Sequence, residues 1–297
     1  CWGLNIDGQC GVEESALVLT PTRVPLPVDV GEWGITALAA GEYHTCAGLS
    51  DGRVLCWGDN SSGQLGIGEI GGFHVPPTLA PGFETFTALT AGDFFTCGSA
   101  QSGGAVRCVG QNFKGQLGNG GDTDSGTPVP IDEAPAMAAV DAGGFGVIAM
   151  PQQSDGVALW GWGEGVLLGG VQPDSVSSPT PLQISAGWAM GRFSAGLVHV
   201  CAVASQDGTG VSYDTLCWGA NGSGQLGNGS TNQSAVPVGV VGLPGDDRVV
   251  SIAAGGLHTC AVTEQARAYC WGSNSAGQIG NGVVGGESLT AALVMFP

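Results

Sequence analysis

A Trp-Gly dipeptide followed by a glycine-rich turn returns along the chain at near-constant intervals, and this periodicity constrains the fold more than any other feature. The run LCWGDNSSGQLGIG from Leu55 to Gly68 recurs as RCVGQNFKGQLGNG from Arg107, LCWGANGSGQLGNG from Leu216 and YCWGSNSAGQIGNG from Tyr269. A weaker copy, LWGWGEGVLLGG, begins at Leu159, and a shortened one, CWGLNIDGQCG, at Cys1. The marker residues are Trp2, Trp57, Val109, Trp160, Trp218 and Trp271, at intervals of 55, 52, 51, 58 and 53. A second marker precedes most copies: ALAAGEYHTCA from Ala37, ALTAGDFFTCG from Ala88, SAGLVHVCA from Ser194 and IAAGGLHTCA from Ile252. A unit of about 54 residues repeated in this way buries its apolar face only against its neighbours.

Each unit reads as four short strands. An entry strand such as ITALAAG (Ile35 to Gly41) leads to a strand through HTCA, a turn, and a strand through VLCWG. A Pro-marked extended segment closes the unit, as in TPTRVPL from Thr20 or TPVPI from Thr127. Proline has no N–H to donate, so this last strand belongs at a sheet edge. The 55 glycines sit at fixed repeat positions, and glycine is a poor helix former. The expectation is an all-β fold, a β-propeller of four-stranded blades occupying residues 1–297 as one domain. A parallel solenoid fits less well, because its coils are shorter and carry no hairpin. Six units need about 325 residues and seven about 380. The chain opens in a third strand and stops in a fourth, so the terminal blade is expected to be incomplete. Two explanations stay open: a truncated chain, or strand exchange with a neighbouring subunit, giving head-to-tail self-association.

The ten cysteines follow the repeat. Cys46 and Cys56 lie symmetrically about Asp51, and a three-residue turn Ser50-Asp51-Gly52 sets them opposite each other. Directly opposed residues are within disulfide reach. Cys260 and Cys270 have the same spacing, Cys97 and Cys108 one residue more, and Cys201 and Cys217 a longer turn. The weak unit has Ile148 and Leu159 at these places, so both members are lost together, as a covalent pair demands. Zinc requires four convergent ligands, and a redox pair favours Cys-x-x-Cys; neither pattern is present. Four disulfides are therefore expected, with an oxidising compartment, secreted or at the cell surface. Cys1 lacks its partner strand and Cys10 replaces the leucine of the GQLG run, so they bond either to each other or, for Cys1, to something outside the chain.

These residues resemble the regulator-of-chromosome-condensation repeat family, through AAGxxHTCAL…DGxVxCWGxNxxGQLGxG over nearly the whole chain. The resemblance implies a propeller, usually of seven blades, with binding surfaces on the loops at its two faces. The cysteine-paired version resembles bacterial secreted or surface members. The founding member exchanges nucleotide on a small GTPase and binds chromatin, whereas this chain has one lysine, Lys114, and a net charge of −18. Such a field repels nucleic acid and anionic membrane. The family's plant UV-B receptors carry Gly-Trp-Arg-His-Thr motifs, where this chain has GEYHT (Gly41 to Thr45) and GGLHT (Gly255 to Thr259). A bacterial β-lactamase inhibitor with a similar propeller makes inhibition through one face an alternative.

No catalytic constellation or cofactor motif is found. No run reaches the ~20 apolar residues of a membrane helix. His44, His199 and His258 share one repeat position and read as structural. Asp122 and Asp124 are the only acidic loop pair with calcium-like spacing, and water suits them better than metal. Of the glycosylation motifs at Asn60, Asn221, Asn228 and Asn232, the first two are repeat positions. Binding residues are expected where the repeat breaks: Phe73, His74 and Phe83, with Phe86, in the segment 70–86, and Trp162 and Trp188 in the degenerate unit 145–192. The expected function is a non-enzymatic binding or scaffold module with a protein or surface partner. The alternatives are an assembly subunit that completes its terminal blade with a neighbour, and an enzyme or enzyme inhibitor using a propeller face.

Overall fold

A computed structural model describes the chain except residues 14–15, 28–33, 84–85, 101–103, 132–133, 153–157, 165–175, 184–188, 206–212 and 297. The described residues are all-β and form no helix. Strands β1 (Gly3–Leu4) and β2 (Leu17–Val18) pair as a two-stranded sheet. Five four-stranded sheets follow, each a meander of consecutive strands. The first holds β3 (Ile35–Ala40), β4 (His44–Leu49), β5 (Val54–Asp59) and β6 (Phe73–Leu79). The second holds β7 (Phe86–Ala91), β8 (Phe95–Ala100), β9 (Val106–Gly110) and β10 (Ser125–Pro130). The third, from the degenerate unit, holds β11 (Met137–Ala142), β12 (Gly146–Pro151), β13 (Ala158–Gly163) and β14 (Val176–Gln183). The fourth runs through β15 (Ala189–Ala195), β16 (His199–Ser205), β17 (Tyr213–Gly219) and β18 (Ser234–Gly239). The fifth comprises β19 (Val249–Ala254), β20 (His258–Thr263), β21 (Ala268–Ser273) and β22 (Glu287–Leu293).

The physical reasons for this order are those of the repeat. The two inner strands of each sheet carry the buried residues, and β4, β5 and β16 are buried almost throughout. The fourth strand is an edge strand, and most strand prolines fall there, Pro76 and Pro77 in β6, Pro128 and Pro130 in β10 and Pro237 in β18, whereas Pro151 ends the inner strand β12. The inner hairpin β4–β5 closes with Leu49 N donating to Arg53 O and Gly52 N to Leu49 O, and Gly52 takes φ 89° where the left-handed residue is required. That register sets Cys46 opposite Cys56. Cys97 likewise faces Cys108, Cys201 faces Cys217, and Cys260 faces Cys270. All four pairs are disulfides with Cα–Cα distances of 4.1 Å. Cys1 and Cys10 are free thiols, Cys1 exposed and Cys10 buried, so they do not bond to each other.

The chain groups into two compact units. Unit 1 is Cys1–Val140 with Ala149–Gln152 and Val176–Pro179; unit 2 is Asp141–Ile148, Gln153–Ser175 and Thr180–Pro297. In unit 1 a core joins Cys46, Val54, Cys56, Leu65, Phe83, Phe86 and Val109. In unit 2 the corresponding core joins Cys201, Val203, Cys217, Leu226, Val249, Ile252, Ala261, Tyr269 and Trp271.

Candidate functional site

The repeated histidine, threonine, glutamine and tryptophan form a latch between successive sheets. In unit 1 the Gln64 carbonyl accepts from Thr96 Oγ1 at 2.8 Å, and His44 Nε2 lies 2.8 Å from the same hydroxyl. In unit 2 Gln225 accepts from Thr259 Oγ1 at 3.1 Å and from Trp271 Nε1 at 2.9 Å, while His199 Nε2 lies 2.7 Å from Thr259 Oγ1. Because each threonine gives its proton to a carbonyl, the imidazole must be the donor, which fixes the Nε2–H tautomer. Burial holds both rings neutral, lowering His44 to about 4 and His199 to about 3, the latter also through His258. Burial likewise lowers His258. His44 and His199 therefore act as structural donors, as their repeat position suggests.

The first copy carries the same latch and a defect. The Gln9 carbonyl accepts from Thr45 Oγ1 and Trp57 Nε1 at 2.9 and 3.0 Å. The side-chain amide of Gln64 donates to Asp59, and that of Gln278 to Ser273. Leu4 stands at that place in the first copy, and the buried Gln9 Nε2 has no hydrogen-bond partner. The repeat asparagines serve the turn: Asn60 and Asn221 accept from the amides of Leu65 and Leu226 and are fully buried. Neither can carry a glycan.

The degenerate unit is shifted by two residues relative to the sequence reading. In the other four-stranded sheets, the residue after the Trp-Gly pair donates its amide to the residue before the latch position. Asp59 N bonds Tyr43 O and Ala220 N bonds Val198 O, both at 2.9 Å. Here Glu164 N bonds Phe145 O at 2.9 Å, and Gly163 takes the positive φ of 94°. Trp162, not Trp160, is thus the repeat tryptophan, and it is fully buried with Trp57, Trp218 and Trp271. The cysteine positions of this unit are Ile148 and Gly161, not Ile148 and Leu159. With Trp162 as marker the neighbouring intervals become 53 and 56.

The expected binding residues separate by burial. Phe83 is fully buried and packs edge-on to Phe86 at 5.5 Å, and Trp162 is a core residue. Neither presents a surface, because each fills space against a neighbouring sheet or strand. Trp188 lies outside the described residues. His74 is half-buried, with Nε2 3.4 Å from Glu69 Oε1. Phe73 is 60% exposed and forms a wall of a groove of about 300 Å³ with Ile6, Gly8, Val12, Ala16 and Val75. Ile6 is itself 55% exposed. This small groove, which Asn5 and Glu13 also line, is where the sequence expectation and the geometry meet.

A second feature at the hairpin end of unit 1 was not singled out from the sequence. The Tyr43 and Phe94 rings lie 5.7 Å apart, tilted by 34°. A hydrogen bond to Glu42, then the charges of Glu42, Asp7 and Asp93 together with burial, raise the Tyr43 phenol. Both aromatics occupy the position before the latch residue, where unit 2 has Phe145, Val198 and Leu257. Among the described residues no three His, Cys, Asp or Glu side chains stand close enough to hold a metal ion. Asp124 accepts from the Asn112 amide at 2.8 Å, which ties that carboxylate to its own turn.

The model of the regulator of chromosome condensation (RCC1) repeat matches residues 1–47, 51–98 and 214–262, and a second model of the repeat matches 35–64 and 249–278. The Ultraviolet-B receptor UVR8 of Arabidopsis thaliana is 32% identical over 285 residues, covering 95% of this chain and 62% of the receptor. The E3 ubiquitin-protein ligase HERC2 of Homo sapiens is 28% identical, covering 94% of this chain but 6% of the ligase. The chain therefore spans less than two thirds of these relatives. Among solved structures, human WBSCR16 superimposes with a TM-score of 0.85 at 24% identity, covering 100% of this chain and 76% of that one. Yeast RCC1 (Prp20), solved bound to Kap60, gives 0.82 at 21%, covering 99% and 70%. The fold is the β-propeller of these structures.

Proposed function

The chain belongs to the regulator of chromosome condensation (RCC1) repeat family, and from that premise we propose that it is a non-enzymatic protein-binding module, secreted or held at a cell surface. The groove at Phe73 carries the binding reading. Phe73 is 60% exposed beside Ile6, and exposed aromatics rimming a concavity are preferred anchors for a partner. The four disulfides support the oxidising compartment, since such bonds persist there and are rare in reducing ones. The neutral, hydrogen-bonded histidines support a role without acid–base chemistry. The named relatives include a receptor, and a structure of the yeast propeller has Kap60 bound.

The test is affinity capture from extracellular and cell-surface material with the wild-type chain and Phe73→Ser. A saturable partner retained by the wild type and lost by the variant, at unchanged melting temperature, is the expected result. Equal capture by both overturns the assignment of this groove.

A further inference from the structure

The connection from β18 to β19 in unit 2 opens a second groove, of about 900 Å³, between the fourth and fifth sheets. Its origin is visible by comparison with the connection from β6 to β7. Ala80 N bonds Val54 O as Val240 N bonds Thr215 O, and Gly82 and Gly242 both take φ 92°. Phe83 and Leu243 follow at matching places. Three residues then reach Phe86, but six reach Val249, so the unit 2 connection is three residues longer. Phe83 plugs the first junction, whereas Leu243 is only partly buried and Pro244-Gly245-Asp246 arch outward.

The groove combines apolar side chains with a mainly acidic rim. Val240 and Leu243, with the nearly buried Leu216 and Val249, supply its apolar lining, and Asp214, Asp246 and Glu264 stand along it with Arg248. Asp247, with its side chain fully buried, is held by Arg267 at 2.8 Å and by the Gln265 amide at 3.0 Å, which fixes the arch. Arg248 pairs with Glu264 at 2.7 Å. Among the described residues neither Asp214 nor Asp246 makes an ion pair, and both are exposed.

We propose that this groove docks an extended cationic segment of a partner protein, with arginine or lysine stems on Leu243 and Val240 and their charged heads at Asp214 and Asp246. The argument is one of complementarity. An aliphatic stem ending in a cation matches apolar side chains edged by carboxylates that outnumber the arginines beside them, Arg248 in the lining and Arg267, which attracts Asp246. The volume lies in the range of sites that enclose a few side chains. A chain with net charge −18 also draws cationic partners over distance, and the groove adds apolar contact that salt does not screen.

The experiment measures binding of a fluorescein-labelled Arg-Leu-Arg-Pro-Leu-Arg-Leu peptide to the full chain by anisotropy at 150 mM salt. Asp214→Asn with Asp246→Asn is expected to weaken binding at least tenfold. A control removing the same charge elsewhere, Asp122→Asn with Glu287→Gln, is expected to change it less than twofold. Asp214→Arg with Asp246→Arg is expected to turn the preference to the same peptide with Glu for Arg. Phe73→Ser is expected to leave peptide binding unchanged, so this proposal and the Phe73 groove fail or stand separately. An equal loss in the charge control overturns the proposal, as does displacement of the peptide by equimolar spermidine or calcium.

Discussion

At the junction after β6 an aromatic side chain completes the core; at the junction after β18 the same place is left open. Phe83 is fully buried against the Cys46–Cys56 bridge, Val109 and Phe86. Leu243 only flanks the core that contains Cys201, Cys217 and Val249. Both junctions are framed by the same latch and by a disulfide across the same hairpin positions. The repeat thus specifies the sheets and the clasp between them, while the short connection decides whether a junction is plugged or concave. Function can diverge there without disturbing the blade.

The sharpest way to break this comparison is to remove the plug and its counterpart. Phe83→Ala leaves an aromatic-sized cavity and is expected to cost about 3–5 kcal/mol. Leu243→Ala, at a partly exposed site beside open solvent, is expected to cost about 1 kcal/mol. Urea denaturation of the two variants measures the difference. Equal losses would mean that Leu243 closes its core as fully as Phe83 does.

Acid should treat the two junctions alike, because the latch is the shared part. An unfolded histidine has a pKa near 6.5, and burial depresses His44 to about 4 and His199 to about 3 in the folded chain. The unfolded state then binds more protons below pH 6.5. Stability is complete above that value and is lost as pH falls toward the folded pKa, by about 3 kcal/mol for His44 at pH 4. His199→Gln and His44→Gln should each flatten the pH dependence of the urea midpoint between pH 6.5 and 4. A slope unchanged in both variants would remove the histidines as its source.

How much of this was legible in the sequence follows from the range of the interactions involved. The strands, the edge prolines and the four disulfides depend on spacing within a single unit, and spacing is what a sequence displays. The register of the degenerate unit does not. LWGWG offers two Trp-Gly pairs, and a shift of two residues keeps every side chain on its own face of the strand. Only the bond from Glu164 to Phe145, across strands, chooses Trp162. Phe73 and Phe83 look alike as loop aromatics, yet one is exposed and the other buried, because the deciding neighbours are Cys46 and Val109. The groove after β18 was announced by three extra residues, but length alone does not say whether they fill a junction or arch over it.

The smallest expected effect lies in the hairpin turns beside the two junctions. Leu49 and Thr263 begin turns with the same backbone bonds: Gly52 N to Leu49 O, and Ala266 N to Thr263 O. The left-handed place is held by Gly52 at φ 89° and by Ala266 at φ 58°, the only non-glycine with positive φ among the described residues. A Cβ in that conformation crowds the following carbonyl and costs about 1 kcal/mol. Glycine relieves it but adds freedom to the unfolded chain, which returns about half of the gain. Ala266→Gly is therefore expected to stabilise by about 0.5 kcal/mol, and Gly52→Ala to destabilise by a similar amount, both read from the urea midpoint. Glu264, which rims the open groove, sits in the same turn as Ala266. If Ala266→Gly lowers stability instead, the turn is held in its conformation by contacts at the groove, and the concave junction is stiffer than its partly buried Leu243 implies.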